Sequence, residues 1–361
     1  MSFKPKHRIP SLDGLRAISI IMVILGHSFG SFFKWVDIAN LGVRVFFIIS
    51  AYLIVGILLK DVERERFSIK RFYFKRLMRT FPAFYVYLVI VGVFLYCIGK
   101  FEFDQFWRAL VYLENYHPRL LWSENQWFVG HSWSLAVEEQ FYIVVAILFW
   151  FFNAKKITKK GLISCLLCIV ILAPIIRILY TYTNLCPVLS SSLHRSFETV
   201  MDSIAMGGLA ALVNFKLKWG KTLLSFAERY MYLLISVVFV IQAFNSSAIR
   251  KLFGLKFRYF YNAFGLSIIN LCIVLLMVIL IKLPNKTIFG RVLNTKPLIV
   301  IGMYSYSLYL WQQVWLFKGW QMPVGIQFLG IGLSAFLSYV LVEKPFLKLR
   351  DVYLANTMLK K

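Results

Sequence analysis

Arg16 and His27, in the stretch SLDGLRAISIIMVILGHSFG, stand eleven residues apart. At 3.6 residues per turn that is close to three whole turns, so the guanidinium and the imidazole share one helix face about 16 Å apart. A long ligand held by an anionic end at Arg16 reaches His27 with its other end. An imidazole that changes charge near neutral pH suits general-base work on a hydroxyl. Taken alone, the pair reads equally well as an arginine snorkelling to headgroups and a histidine capping the outer end of a span.

A second signal is HSWSLAVEEQFYIVVAILFW, residues 131 to 150. Ser134, Glu138 and Tyr142 recur at i, i+4 and i+8, which makes one stripe facing a single neighbour. Glu139 points about 100° away from it. One acid near the interface is a hydrogen-bonded structural group; two acids on different azimuths cannot both sit in headgroups, so one is expected to turn toward the bundle. By the 1.5 Å rise, Glu138 lies about 10 Å below the outer end of its helix and His27 about 14 Å below the outer surface. These depths let a carboxylate orient the imidazole, Glu138 being favoured over Glu139.

KRLMRTFP places Arg76 and Arg79 three residues apart at the start of a span, where both forks can face phosphates. Anchoring to anionic lipid explains the charge of that loop in general, without singling out this pair. Arg44, Arg177 and Asp202 fall in the outer halves of spans and are expected to line an acceptor side, together with Ser134 and Tyr142. Internal ion pairing between spans accounts for each of Arg44, Arg177 and Asp202 as well.

These residues need a membrane bundle to position them. The chain has 361 residues, 60% of them hydrophobic, and a mean hydropathy of +0.70, which excludes a soluble globular protein. With about 20 residues per crossing, the apolar runs predict an all-α polytopic bundle of ten spans near 15–34, 41–59, 82–99, 132–152, 162–180, 197–214, 230–244, 264–281, 297–317 and 323–342. The seventh is short. The net charge of +25 lies between spans and not on one soluble face, which argues against nucleic acid and for orientation in the membrane. With the N-terminus inside, 28 of the 41 Lys and Arg fall in cytoplasmic segments and 10 in outer ones. Both termini are therefore expected in the cytoplasm.

No cleavable signal peptide is expected at the start, and residues 1–350 read as one membrane domain followed by a short basic tail, 351–361. The outer segment with FEFDQFWRALVYLENY suits a surface or re-entrant helix. LPNKTIFGRVLNTKP, near residues 283 to 297, reads as a turn bounded by prolines. Cys97, Cys165, Cys168, Cys186 and Cys272 are scattered; Cys165 and Cys168 form a CxxC inside an apolar helix, better read as small buried residues than as a metal or redox site. No metal is expected.

Taken together, the motifs resemble the integral-membrane acyltransferase-3 family. SLDGLRAISIIMVILGH resembles its opening motif of a basic residue, ten residues and a histidine. GVRVFFIISAYLI, the RxxR of Arg76 and Arg79, WSLAVEEQFY, MDSIAMGGL, SYSLYLW and VEKPF follow in the family's order across essentially the whole chain. The resemblance implies acyl-CoA as donor, usually acetyl-CoA as a co-substrate without any permanently bound cofactor, and an envelope carbohydrate hydroxyl as acceptor. In that picture His27 with Glu138 or Glu139 is catalytic, and Arg16, Arg76 and Arg79 bind the acyl-CoA.

Two departures stand out. Gln312 and Gln313 follow YLW where many relatives carry a histidine, and Ala51 replaces an expected glycine. Some relatives carry a fused extracellular esterase-like domain; this chain stops near Lys361, so the membrane domain is expected to complete the transfer. The expected function is O-acetylation of a surface polysaccharide such as lipopolysaccharide O-antigen, in a bacterial inner membrane. The rivals are a secondary transporter with an intramembrane His/Glu proton relay and a scaffold that holds anionic lipid headgroups; neither inverted repeats nor paired broken helices are evident for the transporter. Sequence leaves the choice between direct transfer and an acyl-histidine open, and the oligomeric state with it.

Overall fold

The computed structural model describes residues 9–30, 32–33, 35–118, 121–182, 192–213, 222, 225–226, 229–284 and 287–359. Cys186 lies outside them, as does part of the turn near residue 285. Among the described residues the regular structure is entirely helical. In chain order the helices are α1 (Pro10–Ser28), α2 (Ile38–Glu63), α3 (Ile69–Cys97), α4 (Phe103–Leu110), α5 (Gln126–Gly130), α6 (Trp133–Asn153), α7 (Lys159–Tyr182) and α8 (Phe197–Val213). They continue with α9 (Met231–Ala243), α10 (Ser247–Phe253), α11 (Lys256–Phe260), α12 (Leu266–Lys282), α13 (Ile288–Leu293), α14 (Lys296–Trp315), α15 (Val324–Ser338) and α16 (Lys344–Leu359).

Each of the ten predicted spans falls on a helix, but among the described residues seven helices are long and apolar enough to cross a membrane by themselves. The other three depart for separate reasons. α8 has 17 residues, and α14 carries Tyr304, Tyr306, Tyr309, Gln312 and Gln313 along its length. The short seventh span is α9, which is long and apolar enough only together with α10, the two being bent by 63° at a break of a few residues, as in a broken span or a re-entrant loop. Two π-helical turns, Tyr261–Gly265 between α11 and α12 and Tyr339–Glu343 between α15 and α16, widen helices that hydropathy reads as continuous. The predicted interfacial helix appears as α4, and helix continues through Leu359 where the sequence reads as a tail.

The chain packs as two compact units, one of residues Met1–Ile57 and Ile157–Ser305, the other of Leu58–Lys156 and Tyr306–Lys361. In the first, α1 starts with Pro10, whose missing N–H costs nothing in a first turn. Its backbone is then clasped at two levels. A Cβ on Gly302 would fall 2.0 Å from the Asp13 carbonyl oxygen, and one on Gly42 would fall 2.5 Å from that of Ser19, so only glycine permits these approaches. Around them Leu12, Ile48, Leu266, Ile269 and Leu280 form a closely packed apolar core.

The second unit is built on α3, capped by the Ser68 hydroxyl, which accepts from the Arg71 N–H at 3.3 Å. Pro82 lies inside this helix, as membrane helices tolerate. Phe84, Tyr87 and Leu95 of α3 pack with Phe128, Val129 and Leu310. Tyr112, in the segment after α4, has left-handed backbone (φ 56°) and stacks on Phe81 at 5.1 Å between ring centroids. Burial, aided by the Glu139 carboxylate, raises its phenol well above the ordinary value and keeps it neutral.

Candidate functional site

In the second unit, α3 and α6 bring Arg76 against Glu138 and Tyr142. The Arg76 Nη2 donates to Glu138 Oε2 at 3.0 Å and to the Tyr142 hydroxyl, and the Tyr142 O–H donates to the same carboxylate oxygen at 2.5 Å. The guanidinium also lies 4.1 Å from the Tyr142 ring centroid, an orientation that adds cation–π attraction. Arg76 and Glu138 retain 12% and 18% side-chain exposure. They are sheltered without being sealed, which strengthens their attraction while leaving the carboxylate reachable. Arg79, one turn on, is exposed.

Glu139 turns to the Thr80 side chain of α3. The predicted stripe on α6 is present, yet it meets two helices and not one. Glu138 and Tyr142 face α3, whereas the Ser134 hydroxyl pairs with that of Tyr309 on α14 at 2.7 Å. Beside Ser134, His131 is buried, with the rings of Tyr87 and Tyr309 at 5.5 Å and 5.3 Å. Further along, Ser307 donates to the buried Glu343 in the second π-helical turn. His131 opens the stretch that carries the α6 stripe and Glu343 lies in VEKPF, but spacing alone assigns neither a partner.

Within the first unit, Arg16, Arg44 and Arg177 take three different settings. Arg16 pairs with Asp13 at 3.6 Å. Arg44 is buried, its Nε donating to Asn40 at 2.9 Å and its Nη1 to Asn270 at 3.2 Å. Arg177 has no exposed side-chain surface, and both terminal nitrogens lie 3.1 Å from Asp202 Oδ2. Nη1 donates to the Thr199 carbonyl at 2.6 Å, while Nη2 donates to Ser267 Oγ at 2.6 Å and to the Ala263 carbonyl, inside the first π-helical turn, at 3.3 Å. Ser267 in turn donates to Asp202 at 2.6 Å. Arg177 and Asp202 thus form the internal ion pair that the sequence allows them, whereas Arg44 is held by the two asparagine side chains.

His27 sits half-buried in the last turn of α1, and one uninterrupted helix carries it and Arg16. His27 belongs to the first unit and the two acids of α6 to the second. At the His27 end of α1 a cavity of about 310 Å³ opens beside Gly26 and Gly30; Trp35, Asp37, Gln242 and Asn245 also line it. No spacing in the sequence marks these residues. The signals available were the shortness of the seventh span and the polar run Asn245-Ser246-Ser247 that ends it. Among the described residues no three His, Cys, Asp or Glu side chains gather in a way that can hold a metal ion.

The Acyltransferase domain family model matches residues 9–343. The chain belongs to this acyltransferase family. Its curated relatives include the O-acetyltransferase OatA of Staphylococcus aureus (strain NCTC 8325 / PS 47), 27% identical over 369 residues. A second relative, from Staphylococcus aureus (strain COL), is 28% identical over 381 residues. Both alignments take in 96% of this acyltransferase-family chain and 58% of the relative. The chain therefore spans somewhat more than half the length of the curated relatives it matches. No solved structure matches it. Family membership and the apolar helices together make this a multi-pass membrane protein.

Proposed function

We propose that the protein is a membrane O-acyltransferase that moves an acetyl group from acetyl-CoA to a hydroxyl of an envelope polysaccharide. The observation that carries this reading is α1, a single membrane helix with Arg16 near its start and a half-buried imidazole in its last turn, in a chain of the acyltransferase family. His27 acts as general base. The acceptor hydroxyl gives its proton to the imidazole as its oxygen attacks the thioester carbonyl carbon; the C–S bond breaks, and the thiolate leaves with that proton as the free thiol. An ester and CoA result.

Donor phosphates are held by Arg79, whose exposed guanidinium has the fork geometry they need, with Arg16 as a further cation. Arg76 is oriented by Glu138 and Tyr142, and contributes positive charge from a fixed place. The N-terminus is on the donor side, the cytoplasmic face of a bacterial inner membrane, in keeping with the charge asymmetry of the segments. Lipopolysaccharide O-antigen is the first acceptor to test.

The experiment measures transfer of radiolabelled acetyl from acetyl-CoA to surface glycan in membranes with and without the protein. Wild-type protein is expected to transfer label, and His27→Ala to abolish transfer at unchanged protein level. Label that never leaves acetyl-CoA, or a His27→Ala variant with normal activity, would remove this reading and return the intramembrane charges to a transporter's proton path.

A further inference from the structure

We propose that the cavity at the His27 end of α1 is a binding site for one neutral pyranose unit of the acceptor glycan, with Trp35, Asp37 and Asn245 as its contacts. The sugar's role as an acceptor rests on the transferase reading above; its binding does not.

Three features of the lining argue for a sugar. The first is its composition. Phe33 and Trp35 supply flat apolar faces, and Asp37, Gln242, Asn245 and Ser247 supply a carboxylate, two amides and a hydroxyl. A pyranose presents C–H patches on its faces and hydroxyls around its rim, so it needs both kinds of surface at once. Asp37 is the one charged side chain among the described lining residues, and a carboxylate accepts sugar O–H groups while repelling phosphate. The volume of about 310 Å³ sits at the lower end of the ~300–1,000 Å³ of ligand pockets, which fits one ring and not an extended chain.

The second feature is the bend between α9 and α10. The chain bends by 63° between α9 and α10, where Phe244, Asn245 and Ser246 form a turn closed by bonds to the carbonyls three residues back, and Asn245 and Ser246 line the cavity. Irregular backbone within a membrane protein's spanning region persists where it is buried in protein or lines a wet cavity. Here it lines one. The Ser246 hydroxyl caps α10 by accepting from the Ile249 N–H at 3.2 Å, which fixes the shape of the break.

The third feature is how the polar groups are committed. One Asp37 oxygen accepts from the Asn40 N–H at 3.0 Å. Gln242 donates to the Asp37 carbonyl at 3.0 Å and accepts from the Tyr261 hydroxyl at 3.1 Å. The wall is thereby set before any ligand arrives. The half-buried Asn245 amide makes no hydrogen bond to another described residue and remains available. An aromatic belt at the interface accounts for Trp35; it gives no reason for a carboxylate and an uncommitted amide in the same cavity.

The test is calorimetric titration of the detergent-purified full chain with two neutral probes, chitotetraose and maltotetraose, and with sn-glycerol 1-phosphate as the lipid-headgroup probe. We expect saturable binding of at least one oligosaccharide, weakened about tenfold by Trp35→Ala through loss of ring stacking. Asn245→Ala and Asp37→Asn should weaken it also; the first breaks no bond to a described residue, and the second preserves the cap on α2. In membranes, the same variants should raise the KM for glycan and not that for acetyl-CoA. Failure of both sugars to bind, binding unchanged in all three variants, or response to glycerol phosphate alone would each overturn the proposal. Sugar binding without acetyl transfer would keep the site and discard the transferase reading; transfer with an unaltered glycan KM in the variants would do the reverse.

Discussion

Two arginine–carboxylate pairs, one in each unit, differ in what surrounds them. Arg177 and Asp202 have no exposed side-chain surface, and the guanidinium is met by two carbonyls and a hydroxyl besides its acid. Arg76 and Glu138 keep a tenth to a fifth of theirs and are joined by a phenol and an aromatic face. Burying two charges is costly, and the first arrangement offsets that cost by saturating nearly every polar atom. A group so saturated has little left to offer a ligand. The second pair shares one acid oxygen between an arginine and a tyrosine and keeps part of its surface in reach of solvent.

Mutations can break this contrast. The largest effect is expected for Asp202→Asn, which strands a buried guanidinium and should cost about 3–5 kcal/mol. Thermal unfolding in detergent reads this as a large loss of stability, and a melting temperature equal to wild type would mean that the pair does not lock the first unit. Glu138→Gln removes a charge-assisted bond from a partly solvated pair, and about 1.5 kcal/mol is expected. Its transfer activity should fall further than its stability does, because Arg76 loses its orientation. Equal losses in the two measurements would reduce the Arg76 cluster to a second structural lock.

Smaller changes sharpen the comparison. Tyr142→Phe keeps the ring under Arg76 and deletes the hydroxyl's two hydrogen bonds, one from Arg76 and one to Glu138, at a cost of about 1 kcal/mol; circular dichroism melts can resolve it. The smallest effect on folding belongs to Arg79→Ala, within about 0.5 kcal/mol because the side chain is on the surface. The same substitution should raise the KM for acetyl-CoA. If donor saturation is unaltered, Arg79 serves membrane anchoring alone.

The helical class and the place of each apolar run were legible because hydropathy over about 20 residues reports burial in lipid directly. The π-helical turns were not, since Tyr261–Gly265 and Tyr339–Glu343 differ from ordinary helix by one residue's hydrogen-bond register. The polar residues of α6 stood out by their spacing, but a helix wheel assigns faces and not partners. Arg76 and Glu138 are 62 positions apart, and only tertiary packing tells a phosphate-facing arginine from one held by an acid. The cavity near His27 stayed hidden for a related reason. Trp35, Asp37 and Asn245 lie in unpatterned connections, where periodicity has no purchase.

The two close glycine approaches to α1 have a consequence for ligand length. With the backbone clasped at Asp13 and at Ser19, this helix is seated like a ruler in a slot, its graduations set by the 1.5 Å rise. A residue inserted between Arg16 and His27 would turn the imidazole by about 100° as well as moving it outward. Chains that vary the length between these two marks would be calibrated for a donor of another length.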